Sequence, residues 1–300
     1  STGAFNATGN VNLAANITTT NTDLTIGGNL VIAEGASPSL STGAGAGNIL
    51  LSGSTDGTAG TGAENLTLNA GTGSLTFTGA LGTGAANSLT NVTVTNAAAT
   101  SFNNTVNITG ALTQTNAATG TTTFANTVAV GSADLKGVAY DINNGFASGG
   151  TTTIANSGTL TKTGTGNISS TGAFNATGNV NLAANITTTN TDLTIGGNLV
   201  IAEAATPTLS TGAGAGHIVV TGTTNGTAGG AAESLTVLAG TGNVTFTGNV
   251  GNNTDALELE ALTVTSAATT LFSGKIELAN ALTQSAGSVA TTFNDTVNVG

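Results

Sequence analysis

The stretch STGAFNATGNVNLAANITTTNTDLTIGGNLVIAE at residues 1–34 returns letter for letter at residues 170–203. Eight of the nine phenylalanines also form pairs at equivalent positions of the two copies, namely Phe5/Phe174, Phe77/Phe246, Phe102/Phe272 and Phe124/Phe293. A repeat of this length indicates a chain built from copied structural units. We therefore predict one unit at residues 1–169 and an incomplete second unit at 170–300, both cut from a longer repetitive protein.

A finer period runs inside each unit. The phrases FNNTVNITG (102–110), FANTVAVG (124–131) and FASGGTTTIA (146–155) follow one another at a constant interval. In each phrase, a Phe and small polar residues precede alternating apolar and polar positions, which is the pattern of a half-buried strand. Clusters of Gly, Ser and Thr such as STGAGAG separate the strands and are typical of turns. Equivalent strands are therefore expected about once every 22 residues.

Short strands, frequent turns and this period predict an all-β chain that folds as a right-handed parallel β-helix, or β-solenoid, with about 22 residues per coil. Stacked coils would place like side chains over like, with Phe near Phe and Val near Val. At about 4.8 Å per coil, a unit would rise about 35–40 Å. The alternative is a string of β-sandwich domains, but these usually bury a Trp, which this chain lacks.

The charge of the chain argues against several classes of partner. Fourteen acidic residues face three lysines, and the formal net charge is -11. Nucleic acids and anionic membrane surfaces need clustered Lys or Arg, so neither is an expected partner. No apolar run in this window is long enough to insert into a membrane as a helix. The absence of cysteine removes disulfides and cysteine-ligated metal sites.

Few residues could carry chemistry. His217 is the only histidine, and the corresponding position of the first unit is Asn48, so we interpret His217 as a surface substitution. The densest acidic cluster, Asp255, Glu258 and Glu260, has small residues as its counterparts and is interpreted as a solvated face. We therefore predict no catalytic, cofactor-binding or metal-binding residues and no enzymatic activity.

Some acidic residues do recur between the two units. Asp23, Glu34 and Glu64 return as Asp192, Glu203 and Glu233. Because Ca²⁺ binds carboxylate oxygens, a structural calcium between coils is the one cofactor that this pattern allows. The glycine-rich calcium-binding nonapeptide is missing, so we favour solvated acids at turns.

The segment GSADLKGVAYDINNGF (131–146) is the least repetitive part of the chain and contains the only tyrosine, Tyr140. A protruding loop here could carry specificity, but an irregular coil is the simpler interpretation, and we favour it. Carbohydrate sites favour exposed aromatic side chains beside polar groups. Because the phenylalanines occupy ladder positions, Tyr140 is the candidate for a free aromatic side chain.

The phrases LTLNAGTGSLTFTGALG (66–82), LTNVTVTNAAATSFNNTVNITGALTQ (89–114) and FNDTVNVG (293–300) resemble the β-strand repeats of giant bacterial filamentous-haemagglutinin-like and autotransporter-like surface exoproteins. The resemblance implies a right-handed parallel β-helix that is secreted to the cell surface and acts in adhesion, aggregation or a fibrous coat. It implies no catalytic residues. Since only 6% of residues are charged, self-association into fibres or lateral bundles is expected. The alternative is an adhesin module that binds a surface carbohydrate or receptor.

Overall fold

The structure is a computed structural model that describes residues 2–84, 88–227, 232–252 and 259–300, without the side chains of residues 116–119 and 288. Contacts divide the chain into two compact units, Ser1–Gly149 and Gly150–Gly300. The boundaries predicted at 1–169 and 170–300 follow the sequence repeat instead, and they stay a prediction. Every regular element of the described residues is a β-strand, so no helix among them could cross a membrane.

The strands of each unit are short, with a few long ones that bend around corners. The first unit contains β1 (Phe5–Ala7), β2 (Val11–Leu13), β3 (Ile17–Thr18), β4 (Leu24–Ile26), β5 (Leu30–Ile32), β6 (Ser39–Ser41), β7 (Ile49–Leu51), β8 (Thr55–Gly57), β9 (Asn65–Asn69), β10 (Leu75–Phe77), β11 (Asn91–Asn96), β12 (Thr100–Phe102), β13 (Val106–Phe124), β14 (Val128–Ile142) and β15 (Phe146–Ser148). The second contains β16 (Thr152–Asn156), β17 (Thr159–Lys162), β18 (Ile168–Ser170), β19 (Phe174–Ala176), β20 (Asn179–Leu182), β21 (Ile186–Thr188), β22 (Leu193–Ile195), β23 (Leu199–Ile201), β24 (Thr208–Ser210), β25 (Ile218–Val220), β26 (Thr224–Asn225), β27 (Ser234–Leu238), β28 (Val244–Phe246), β29 (Leu259–Phe272), β30 (Ile276–Gln284), β31 (Gly287–Phe293) and β32 (Val297–Val299).

The strands of the first unit stack in parallel on three faces of each coil. On the first face, β1, β4, β7, β10 and β12 pair in that order, and the end of β13 follows. On the second face, β2, β5 and β8 pair, and isolated bridges through Leu81 extend the face to Val106. On the third face, β3, β6, β9, β11 and β13 pair in turn.

The second unit has the same three-faced arrangement. Its first face runs from β16 through β19, β22, β25 and β28 to β29, again with parallel pairing at every step. Its second face contains β17, β20, β23 and β26, and its third contains β18, β21, β24 and β27. The predicted parallel β-solenoid is therefore confirmed for both units.

Coil length varies around the predicted value because the corners differ in length. The first-face register steps from Phe5 to Leu24 in a short coil and from Ile49 to Leu75 in a long one. The corner between β2 and β3 spans only residues 14–16, whereas the equivalent corner between β5 and β6 spans residues 33–38. The predicted spacing of about 22 residues is confirmed as the typical value.

Like side chains stack on the first face, as predicted. In the first unit, the ring of Phe102 stacks on Phe77 at a centroid distance of 5.0 Å and on Phe124 at 4.9 Å. The second unit stacks Phe246, Phe272 and Phe293 at 5.4 Å for each step. Stacked rings of this kind contribute about 0.5–1.5 kcal/mol per pair beyond the burial of their surface. The phenylalanine ladders therefore add to the stability of both units.

Phe146 leaves the first-face register of the phenylalanine ladder, although its ring still packs edge-on against that of Phe124 at a centroid distance of 5.7 Å. Ile142 pairs with Phe124 instead, and Phe146 pairs with Val128 on the second face. The coil that begins at Thr122 already returns to the first face at Tyr140, and it is therefore shorter than the typical coil. This short return places Phe146 one face further along the coil.

The interior of each unit is filled by alternate residues of most strands. Leu24, Ile26, Leu30 and Ile32 all have 0% exposure, while the residue between each pair faces outward and is half-buried. Burying one such side chain stabilises the fold by about 1.5–3 kcal/mol relative to leaving it exposed. The period-two alternation in the sequence is therefore the cause of the closed apolar interior.

Candidate functional site

Polar side chains at the corners of the coils bind the backbone of the next coil. Oδ1 of Asp23 accepts a hydrogen bond from the N–H of Asn48 at 2.8 Å, and Oδ1 of Asn48 accepts one from the N–H of Ser74 at 2.9 Å. Each of these bonds reaches from one coil to the next, so the pattern recurs once per coil. We call Asp23, Asn48 and Ser74 the corner ladder of the first unit.

His217 belongs to the corner ladder of the second unit. Its N–H donates to Oδ1 of Asp192 at 2.8 Å, and its Nδ1 accepts the N–H of Asn243 at 3.0 Å. The imidazole nitrogen therefore takes the place that the amide oxygen of Asn48 has in the first unit. This geometry gives the single histidine a role in joining coils.

Two recurring acids meet at the corner that precedes the third face. Oε1 of the buried Glu64 accepts the N–H of Gly35 at 3.0 Å, and Oε1 of Glu34 accepts the N–H of Gly62 at 2.5 Å. Glu64 therefore binds the backbone of the coil that contains Glu34, and Glu34 binds the backbone of the coil that contains Glu64. We call Glu34 and Glu64, with their counterparts Glu203 and Glu233, the carboxylate pairs.

The second carboxylate pair has a distinct electrostatic environment. Glu233 is only 3% exposed, and it accepts hydrogen bonds from the Thr227 hydroxyl at 3.3 Å and from the backbone N–H of Ala204. Burial first, and the charge of Glu203 second, raise the pKa of the Glu233 carboxyl above its ordinary value. Ala204 has a φ of 58°, a left-handed conformation that costs an Ala residue energy. The bond from its N–H to Glu233 helps to hold this turn.

The carboxylate pairs fit a structural role better than a calcium site. Ca²⁺ takes about six to eight oxygen ligands, and two carboxylates that are bonded to backbone amides supply only part of such a shell. Among the described residues, no group of three or more His, Cys, Asp or Glu side chains is placed to hold a metal ion. Of the acidic cluster, Asp255 and Glu258 lie outside the described residues. Glu260 accepts a hydrogen bond from the Asn280 amide at 3.3 Å.

The raised pKa of Glu233 predicts a pH dependence of stability. The folded chain keeps this proton at pH values where the unfolded chain, with an ordinary pKa of 4.5, has released it. The contribution of Glu233 is therefore most favourable below pH 4.5, and it is lost as the pH rises through the raised folded pKa. We expect the free energy of unfolding of the parent chain, relative to that of Glu233→Gln, to fall as the pH rises above 4.5. Urea unfolding across this range measures it.

A matched variant separates this effect from general charge repulsion. Asp295→Asn removes an exposed carboxylate from the same unit, and it serves as the control for the loss of one negative charge. If both variants gave the same pH trend, the overall negative charge would be its cause and burial of Glu233 would not.

Tyr140 is not the free aromatic side chain that the sequence suggested. It has 0% exposure and lies on β14, in register with Thr122 of β13. Its hydroxyl is buried without a hydrogen-bond partner among the described residues, and burial raises its pKa, with a smaller effect from Asp134. The segment 131–146 is therefore a coil, as we favoured. The prediction of an exposed Tyr140 is wrong because the alternation along β14 turns this side chain inward.

A buried lysine was missed by the reasoning from sequence. Lys162 is 1% exposed and lies opposite Leu182, and its ammonium group donates to the carbonyl oxygens of Thr163 and Gly164. Burial lowers the pKa of this amine. The signal was present, because Lys162 is two positions from the inward Leu160 and so falls on the same side of β17. The ammonium group binds corner carbonyls and thereby has a structural role.

An open groove of about 390 Å³ crosses neighbouring coils of the first unit. It is lined by Ala80, Gly82, Thr83, Thr105, Val106, Asn107, Thr127 and Ala129. This lining offers hydroxyl and amide groups but contains no aromatic or charged side chain. Small-molecule sites usually combine apolar or aromatic walls with a few converging polar groups, and this groove is poorly matched to that pattern.

Comparison with protein-family models, with curated proteins and with solved structures found no match to this chain. The class of protein is therefore defined by the fold alone, which is a β-solenoid of repeated parallel coils.

Proposed function

We propose that this chain is a structural segment of a giant secreted cell-surface protein, in which stacked coils form a rigid fibre, stalk or coat. The proposal rests on one observation: the polar side chains best suited to chemistry are hydrogen-bonded to the backbone of neighbouring coils. The side chains of Asp23, Glu64 and His217 each accept a hydrogen bond from the backbone of a neighbouring coil. The residues that could have formed a reactive site therefore stabilise the stacking, which supports a mechanical role without enzymatic activity.

Copying a coil suits this role because each coil contacts mainly its neighbours. The stability of such an array is approximately the sum of coil terms and nearest-neighbour terms, so units can be added without redesigning the fold. The identical stretches at 1–34 and 170–203 are what this kind of growth produces. Each added copy of the repeat lengthens the array, as a fibre, stalk or coat requires.

The proposed location at the cell surface rests on the resemblance to filamentous-haemagglutinin-like and autotransporter-like repeats. The polar, weakly charged outer faces support self-association into fibres or bundles, because few like charges oppose lateral contact. Adhesion and aggregation are the activities that such a fibre would serve.

Imaging of intact source cells tests this role. An antibody raised against residues 1–34 should recognise both copies of that sequence, and gold-labelled antibody should decorate thin surface filaments. We expect labelling without permeabilisation, and a layer spacing of about 4.8 Å in isolated filaments. Labelling that appears only after the cells are opened would contradict the proposal, and an antibody against an internal protein controls for leakage.

A carbohydrate- or receptor-binding adhesin module is the second candidate; the hydroxyl groups of Thr83, Thr105 and Thr127 in the open groove are the contacts it would use, although the groove lacks the aromatic wall typical of such sites. A ligand there would rely on hydroxyl contacts, since the side chain of Tyr140 lies inside the coil. The same imaging separates the two candidates. Label along whole filaments supports the structural role, whereas label confined to points of contact with another surface supports the binding module.

A further inference from the structure

Three corners of the first unit, which join the first face to the second, contain the same local hydrogen bond. In each corner, Oδ1 of an asparagine side chain accepts the backbone N–H of the next residue. The pairs are Asn104/Thr105 at 2.8 Å, Asn126/Thr127 at 2.8 Å and Asn144/Gly145 at 2.9 Å. We call these three the asparagine corners.

The third asparagine corner differs from the other two in the residue that follows the asparagine. Asn144 is followed by Gly145, whereas the other two asparagines are followed by threonine. A β-branched side chain is stiff and stands beside its own backbone nitrogen, while glycine leaves this nitrogen open. The side chain of Asn144 is also exposed, so that water reaches its amide group.

The hydrogen bond in this corner brings together two groups that can react. The nitrogen of Gly145 is 2.9 Å from Oδ1 of Asn144, and Oδ1 is bonded directly to Cγ. Cγ is the electrophilic carbon of the side-chain amide, and the backbone nitrogen is a nucleophile once it has lost its proton. Holding two such groups side by side favours their reaction, because they do not have to be brought together from other conformations.

We propose that Asn144 is a site of spontaneous deamidation through a cyclic imide formed with Gly145. In the first step, the nitrogen of Gly145 bonds to Cγ of Asn144 and the bond from Cγ to Nδ2 breaks. Nδ2 leaves as ammonia and takes with it the proton of the backbone nitrogen. In the second step, water opens the ring. Attack of water at Cγ gives aspartate, and attack at the main-chain carbonyl carbon gives isoaspartate.

The second unit shows that a corner of this kind accepts a carboxylate. The counterpart of Asn126 there is Asp295, and Oδ1 of Asp295 accepts the N–H of Thr296 at 2.7 Å. The aspartate product at Asn144 therefore keeps the local hydrogen bond while it adds a negative charge to the corner.

The isoaspartate product changes the main chain of the corner. The chain then runs through Cβ and Cγ of residue 144, so the corner becomes longer by a carbon atom. Both ends of the corner are held at 2.9 Å, by the bond from the N–H of Asn143 to the carbonyl oxygen of Phe124 and by the bond from the N–H of Val128 to the carbonyl oxygen of Gly145. The longer main chain does not fit between these two bonds, so this product loosens the stacking of the coil.

The other Asn-Gly dipeptide of the chain, Asn225–Gly226, lies in a different environment. Asn225 belongs to β26 and is in register with Val200 of the preceding coil. Its Oδ1 is buried and has no hydrogen-bond partner among the described residues, so it does not hold the N–H of Gly226. We therefore expect Asn225 to resist deamidation in the folded chain, and it serves as an internal control.

This inference goes beyond the proposed function and does not depend on it, because it follows from the chemistry of one corner. A structural segment of a surface protein could hold Asn144 unmodified, so the two ideas fail separately.

Peptide mapping by mass spectrometry, after storage of the full chain in warm neutral buffer, tests the proposal. Deamidation raises the mass of a peptide by about one dalton, and fragmentation of the peptide distinguishes isoaspartate from aspartate. In the folded chain, we expect the peptide with Asn144 to gain this mass and the peptides with Asn104, Asn126 and Asn225 to keep theirs. In urea, the peptide with Asn225 should gain the mass as well.

Gly145→Thr is the matched variant, since it gives the third asparagine corner the same residues as the other two. We expect it to abolish the mass change at Asn144. The variant should fold, because Thr105 and Thr127 occupy this position in the neighbouring coils, and circular dichroism checks this. Gly145→Ala replaces it if it is not folded, because a Cβ at this position also crowds the backbone nitrogen.

Four results would overturn the proposal. The first is an unmodified Asn144 in the folded parent, and the second is deamidation that persists at the same rate in the matched variant. Equal reaction of Asn144 and Asn225 in the folded chain would mean that the dipeptide, and not the corner, determines the reaction. An Asn225 that stays unmodified even in urea would mean that the neighbouring sequence protects it, and the comparison would no longer assign the reaction to the corner geometry.

Discussion

Replacing Phe102 with Ala is expected to destabilise the first unit by about 3–5 kcal/mol, the usual loss for deleting a buried aromatic side chain. The Phe102 ring is 2% exposed and is stacked between two others, at 5.0 Å from Phe77 and 4.9 Å from Phe124. Its removal leaves a cavity and breaks both stacking contacts. Urea unfolding followed by circular dichroism should show an earlier transition, because coils of a repeat array need not unfold together.

Two variants test whether the loss of stability in Phe102→Ala arises from the position of the ring between two others. Phe293→Ala removes the same ring at the end of the equivalent ladder, where Phe293 is 44% exposed and stacks only on Phe272. We expect a much smaller loss there. Phe102→Leu should also be milder, since Leu51 already occupies this ladder below Phe77. If Phe102→Ala and Phe293→Ala lowered the free energy of unfolding equally, stacking of the ring between two others would not explain the loss.

The fold could be predicted from the sequence because two independent periods agree. Alternation with period two places every second side chain inside, and the longer period of the recurring phrase brings equivalent strands into register. The stacking of Phe77, Phe102 and Phe124 follows directly from these periods. The position of Phe146 does not, because it depends on an unusually short coil, from Thr122 to Tyr140, whose tighter corners the average period cannot reveal.

The candidate site was less predictable, since its bonds join residues of different coils. The recurrence of Glu34 and Glu64 was visible in the sequence, but their bonds to Gly62 and Gly35 depend on how two corners overlap. The inward direction of Lys162 could have been found from the alternation along β17. The burial of Tyr140 required knowledge of where its coil returns to the first face.

Replacing Gly82 with Ala is expected to be strongly destabilising, because two penalties combine. Gly82 has a φ of 75°, where a side chain adds about 1–2 kcal/mol of backbone strain. A Cβ at this position would also overlap the carbonyl oxygen of Asn107 in the next coil. The N–H of Asn107 bonds to Leu81 at 2.7 Å, so the strand cannot move away without losing hydrogen bonds. Gly251, with a φ of 76°, meets Glu277 in the same way in the second unit.

Gly35→Ala is the matched control, since it has the backbone strain without the collision. Gly35 has a φ of 67°, but a side chain at this position would have no atom within 4 Å of its Cβ. The second unit already carries Ala204 at the equivalent position, with a φ of 58°. We expect Gly35→Ala to lose about 1 kcal/mol and Gly82→Ala at least twice that, as measured by urea unfolding. Hydrogen exchange should also quicken at residues 81–83 and 106–108 in Gly82→Ala alone. Equal losses would mean that backbone conformation, rather than the close spacing of coils, explains the glycine at this corner.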